Sequence, residues 1–95
     1  MARHDAATQS RLARTLALAE AGRPQALYEL GLAYARQPDL VEAHKWLNLA
    51  ALTGLSEAEL DRAEVATEMS HAQVEEAQRQ ARAWLDGHPR LRHDI

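Results

Sequence analysis

The feature that most restricts what this chain can fold into is its punctuation. Helix-breaking residues stand at Gly22 and Pro24, at Pro38, at Gly54, and at Gly87 and Pro89. Gly22 can take the left-handed conformation that closes a helix, and Pro24 suits the first turn of the next, where its missing N–H costs nothing. Pro38 stops that second helix. Asp39-Leu40-Val41-Glu42 is a capping-box pattern, with Asp39 accepting from orphan amides and Glu42 reaching back. Gly54 ends a third helix, and Ser56-Glu57-Ala58-Glu59 and Ser70-His71-Ala72-Gln73 repeat the capping pattern. Ser10 also looks like a helix-start residue. Gly87 and Pro89 close the last helix and leave 87–95 as a flexible tail. The spacing predicts five helices, over about 6–21, 24–37, 40–53, 57–69 and 71–86.

What lies between these breaks favours helix and disfavours strand. Alanine and leucine supply most of the apolar residues, phenylalanine is absent, and Ile95 is the one isoleucine. Ninety-five residues fit a single domain, 1–95. Without cysteine, disulfides and thiolate metal sites are excluded. No apolar run has the length of a membrane span or fits a signal peptide, so the expected location is the cytoplasm. The formal charge of −3 is unevenly spread: residues 57–76 hold seven acids against Arg62 alone. A nucleic-acid binder gathers positive charge into one stripe, and this chain does not.

Connections of a few residues imply antiparallel neighbours. In the second helix Leu27, Leu30, Gly31 and Tyr34 share one face, and in the third Ala43, Trp46, Leu47, Ala50 and Gly54 do the same. Gly31 lowers helix propensity by about 1 kcal/mol relative to Ala, which suits a position where a Cβ would clash. The third helix also carries Val41, Leu49 and Leu52 off this seam, as a central helix does. The fourth turns Leu55, Ala58, Val65, Ala66 and Met69 inward and Glu57, Asp61, Glu64 and Glu68 outward. The fifth places Val74, Ala77, Ala81, Trp84 and Leu85 inward and Glu75, Arg79 and Arg82 outward, as a terminal capping helix should.

Ala26, Leu30, Gly31 and Tyr34 on the second helix, Ala43, Lys45, Trp46, Ala50 and Ala51 on the third, and then Gly54 and Ala58, make the stretch 26–58 resemble a Sel-like repeat, a branch of the tetratricopeptide-like helical repeats. Arg36-Gln37-Pro38 replaces the family's glycine-bearing loop, and Leu47 stands where an aromatic is common. A faint echo at an offset of 32 pairs Gly22 with Gly54, Ala26 with Ala58 and Ala19 with Ala51. The resemblance implies an all-α array of short antiparallel helical hairpins, with one good repeat flanked by degenerate capping helices. It implies adaptor work through helix-lined grooves, and no chemistry.

The residues themselves point the same way. No nucleophile–base pair or glycine-rich phosphate loop is present, so no catalytic, cofactor or metal residue is assigned. His4, His88 and His93 fall in terminal segments, and His44 and His71 begin different helices with no second ligand at i+3 or i+4. Trp46, Tyr34 and Trp84 belong to apolar seams. Tyr28, Leu32 and Ala35 form a second apolar strip on the second helix, either covered by another helix or left as a partner groove. The acidic row Glu57, Asp61, Glu64 and Glu68 is either a solvated helix face or a steering surface for a basic segment. Arg62, inside the apolar arc, either snorkels or meets another chain. The expected function is a protein- or peptide-binding adaptor that recognises a basic-apolar segment through Tyr28, Leu32, Ala35, Asp61, Glu64 and Glu68, as a monomer or weak homo-oligomer. The alternative is a self-associating structural subunit, with a helix-turn-helix nucleic-acid binder a distant third.

Overall fold

The computed structural model describes residues 3–93, and the side chains of residues 10–91. All regular structure among them is helical: α1 (Arg3–Glu20), α2 (Pro24–Arg36), α3 (Leu40–Leu52), α4 (Ala58–Ala66), α5 (His71–Asp86) and α6 (Pro89–His93). The all-α expectation holds, with six helices in place of five. The last, α6, lies in the segment expected to be a flexible tail.

Local chemistry sets most of the boundaries. Pro24 opens α2 without a side-chain cap. The Asp39 carboxylate accepts from the Glu42 amide at the start of α3, but Glu42 does not close the box. Its carboxylate turns instead to the Trp46 indole N–H at 3.0 Å and the Lys45 ammonium at 3.1 Å. A complete capping box, Ser70 with Gln73, begins α5. Two expected caps are not formed. Ser10 sits inside α1. Ser56 belongs to a turn in which the Ala58 and Glu59 amides bond to the Leu55 and Ser56 carbonyls. Backbone therefore does the work a side-chain cap would do, and α4 starts one residue late.

Helix α3 is central. It packs most extensively on α2 and also touches α4 and α5, while α1 rests on α2 and α6 on α5. Gly31 and Leu47 stand equidistant from Asp39 at the turn and are in contact, the mark of an antiparallel hairpin. A Cβ at Gly31 would lie 2.7 Å from Leu47 Cγ and 3.1 Å from the Leu47 backbone nitrogen. The glycine lets the two backbones close to a distance that no side chain permits. Leu27, Leu30, Ala43, Leu47, Leu49 and Ala50 are buried around this seam, and Ala19, Ala58, Ala77 and Ala81 bring the flanking helices in.

Three packing assignments are corrected. Gly54 is exposed with open space about it, so it ends α3 through its backbone conformation and not by packing on the seam. Leu52 is also exposed. Asp61, placed on the outer face of α4, is half-buried. Leu52 is the last residue of α3, and Gly54 lies in the turn beyond it.

At the far end of α5, Trp84 meets Trp46 edge-to-face at 6.1 Å. His88 stacks on Trp84 at 3.7 Å, and its Nδ1 lies 2.7 Å from the Trp84 carbonyl oxygen. Its Nε2 is 3.3 Å from a Glu20 carboxylate oxygen of α1. His88 thus joins the C-terminal end of α1 to that of α5. The side chains of His4 and His93 lie outside the described residues.

Candidate protein-binding surface on α2 and α4

Tyr28 occupies the second turn of α2, on the face turned away from the Gly31 seam. Its ring is half-buried and packs against the edge of the core. Its hydroxyl donates to Asp61 Oδ2 of α4 at 2.6 Å. The bond to a carboxylate holds the proton on the phenol and raises its pKa above the ordinary value, helped by burial and by the negative charges of Asp61 and Glu57. Glu57 is therefore close enough to act on Tyr28 as well.

Two open questions from the sequence close here. The strip on α2 is neither an open groove nor fully covered: α4 holds its Tyr28 end, while Leu32 and Ala35 remain half-buried. Arg62 snorkels within its own chain, donating from Nη1 to Asn48 Oδ1 of α3 at 2.6 Å. Arg62 and Asp61 together fasten α4 to α3 and α2, so the acidic helix is held at a set angle beside the apolar strip.

Of the six residues expected to bind a partner, Tyr28 and Asp61 are brought into contact and Leu32 and Ala35 line the same helix. Glu64 and Glu68 are exposed, and neither enters an ion pair among the described residues. Leu60 was missed. It is 78% exposed, the most exposed of the large apolar side chains among the described residues, and by helical spacing it shares a strip with Glu57, Glu64 and Glu68. A leucine among acids on a short helix was legible as a break in the polar face. The surface thus combines apolar area with a run of carboxylates.

The burial of His44 does not follow from its place at the start of a helix. The residue is buried to 4% exposure on α3, with Nδ1 lacking a partner among the described residues. Burial, followed by the positive charge of Arg62, lowers its pKa and keeps the ring neutral. The available signal was α3 itself: a helix packed on several sides leaves its fifth residue little access to solvent. Among the described residues, no group of three or more His, Asp or Glu side chains is placed to hold a metal ion, and no helix is long and apolar enough to cross a membrane. Shallow clefts occur beside Pro38 and beside His88, of about 450 and 380 Å³, away from Tyr28. No family model, curated protein or solved structure matches the chain.

Proposed function

We propose that this chain is a protein-binding module built on a Sel-like helix pair, α2–α3, whose binding face runs from Tyr28 and Leu32 on α2 across Asp61 to Leu60, Glu64 and Glu68 on α4. The observation that carries this is the Tyr28–Asp61 hydrogen bond, which joins the apolar strip and the acidic row into one surface. A partner with a helix or extended segment of alternating leucine-like and Lys or Arg residues complements it. Apolar contact with Leu32 and Leu60 supplies affinity, and the exposed carboxylates chiefly raise the association rate.

Titration with a basic amphipathic helical peptide tests the proposal. Leu60→Glu should speed dissociation, and Glu64→Gln with Glu68→Gln should slow association and flatten its salt dependence. Binding that is indifferent to all three changes would place the site elsewhere.

A further inference from the structure

The acidic-apolar face of α4 has a complement within the same chain. Helix α1 rests on α2 alone among its substantial contacts, and its apolar arc is wider than α2 covers. Leu12, Leu16 and Leu18 remain 45, 38 and 41% exposed. Arg11 and Arg14 are exposed beside them, in no ion pair among the described residues. By spacing of i, i+3 and i+7, Arg11, Arg14 and Leu18 form one strip along α1. It is apolar at its C-terminal end and basic toward the N-terminus.

On α4 the order is inverted. Leu60 comes first, then Glu64, then Glu68 just past the last turn. Counting back from Leu18, Arg14 is about 6 Å away along the axis and Arg11 about 10.5 Å, at a rise of 1.5 Å per residue. Counting forward from Leu60, Glu64 is about 6 Å away, and Glu68 lies in the turn that follows the helix. Laid antiparallel, Leu18 meets Leu60 and Arg14 meets Glu64 in register, and Arg11 falls beside the turn that carries Glu68.

We propose that α1 of one copy docks antiparallel on α4 of a second copy, making the chain a head-to-tail self-associating unit. This rests on α4 being a binding face and names its partner as the same protein. The two surfaces differ, so the contact is heterologous, and each docked pair still presents one free α1 and one free α4. A further copy can add to either, so assembly grows with concentration, into a closed ring or an open filament as the rotation between copies dictates. Because the charges are exposed, it weakens as salt shortens the screening length.

Charge reversal tests this directly, using light scattering on the full chain at rising concentration. Wild type in low salt should rise above the 10.6 kDa monomer mass and return to it in high salt. Arg11→Glu with Arg14→Glu should stay monomeric, and so should Glu64→Lys with Glu68→Lys, each with unchanged helical content. An equimolar mixture of the two variants should associate again, because each supplies the surface that the other now needs. Wild type that remains monomeric throughout overturns the proposal, as does a mixture that fails to associate while wild type assembles. Adding the basic amphipathic peptide separates the two ideas: a monomeric wild type that still binds peptide through Leu60 removes self-association and keeps the binding face. A monomer that binds no peptide removes both.

Discussion

The α2–α3 seam yields the sharpest prediction. A Cβ placed on Gly31 sits 2.7 Å from Leu47 Cγ and 2.9 Å from its Cδ2, with the Leu47 backbone nitrogen at 3.1 Å. Leu47 is fully buried and cannot swing away, and its Cγ is the branch point, not a mobile tip. Relief requires α2 and α3 to separate. Alanine at position 31 would gain up to about 1 kcal/mol of helix propensity, set against an overpacking cost of about 1–3 kcal/mol. Gly31→Ala should thus be destabilising by up to about 2 kcal/mol. Gly31→Leu drives three more carbons into the same contact and should reach about 3 kcal/mol or more. A chain of this size has a total stability of about 5–14 kcal/mol. At roughly 4–8 °C per kcal/mol, Gly31→Leu should lower the melting temperature by on the order of 10–25 °C, followed by far-ultraviolet circular dichroism. Pairing Gly31→Ala with Leu47→Ala should cost less than the two single changes summed, because the second makes room for the first. A Gly31→Leu protein that melts at the wild-type temperature would refute the close contact.

Other expectations are independent of the seam. Arg62→Ala should lower stability by about 1 kcal/mol through loss of its bond to Asn48, seen as a shifted denaturant midpoint. His44 has its pKa depressed below the ordinary 6.5 in the folded chain, so the unfolded state takes up the proton first. Stability is full above that value and falls as pH drops from it toward the depressed native pKa; His44→Leu should flatten this acid limb. Tyr28 has its pKa raised above 10.0, so its contribution is full below that pH and is lost as the pH climbs through the folded pKa. Tyr28→Phe should melt below wild type at neutral pH, and the gap should close in alkali.

The parts of the fold that were legible are those set by near neighbours. Asp39 and Ser70 accept from amides three residues on, Pro24 brings a backbone angle already suited to a first turn, and α2, α3 and α5 begin where these residues place them. The five-residue linker before α4 misled because Ser56 and Glu57 continue a turn through backbone bonds that no side-chain pattern announces. The seam residues Leu30, Gly31, Trp46 and Ala50 followed from periodicity. Contacts between distant segments did not. Tyr28 and Asp61 share a helix-spanning bond, Arg62 reaches Asn48, and a Leu91 methyl packs where a Cβ on Gly22 would be. Gly22 is fixed twice over, by that contact and by φ +83°; its backbone role was evident in sequence and its packing role was not. His88 was read as terminal because stacking on Trp84 depends on the angle at which α6 leaves α5.

The proposed binding face on α2 and α4 is tested most directly by nuclear magnetic resonance of the labelled full chain during titration with a basic amphipathic peptide. Amide shifts should change along one connected surface, at Tyr28, Leu32, Leu60, Asp61 and Glu64, with the outer face of α5 at Glu75, Arg79 and Arg82 unmoved. Shifts that gather on α5, or that spread evenly over the whole chain, would contradict it.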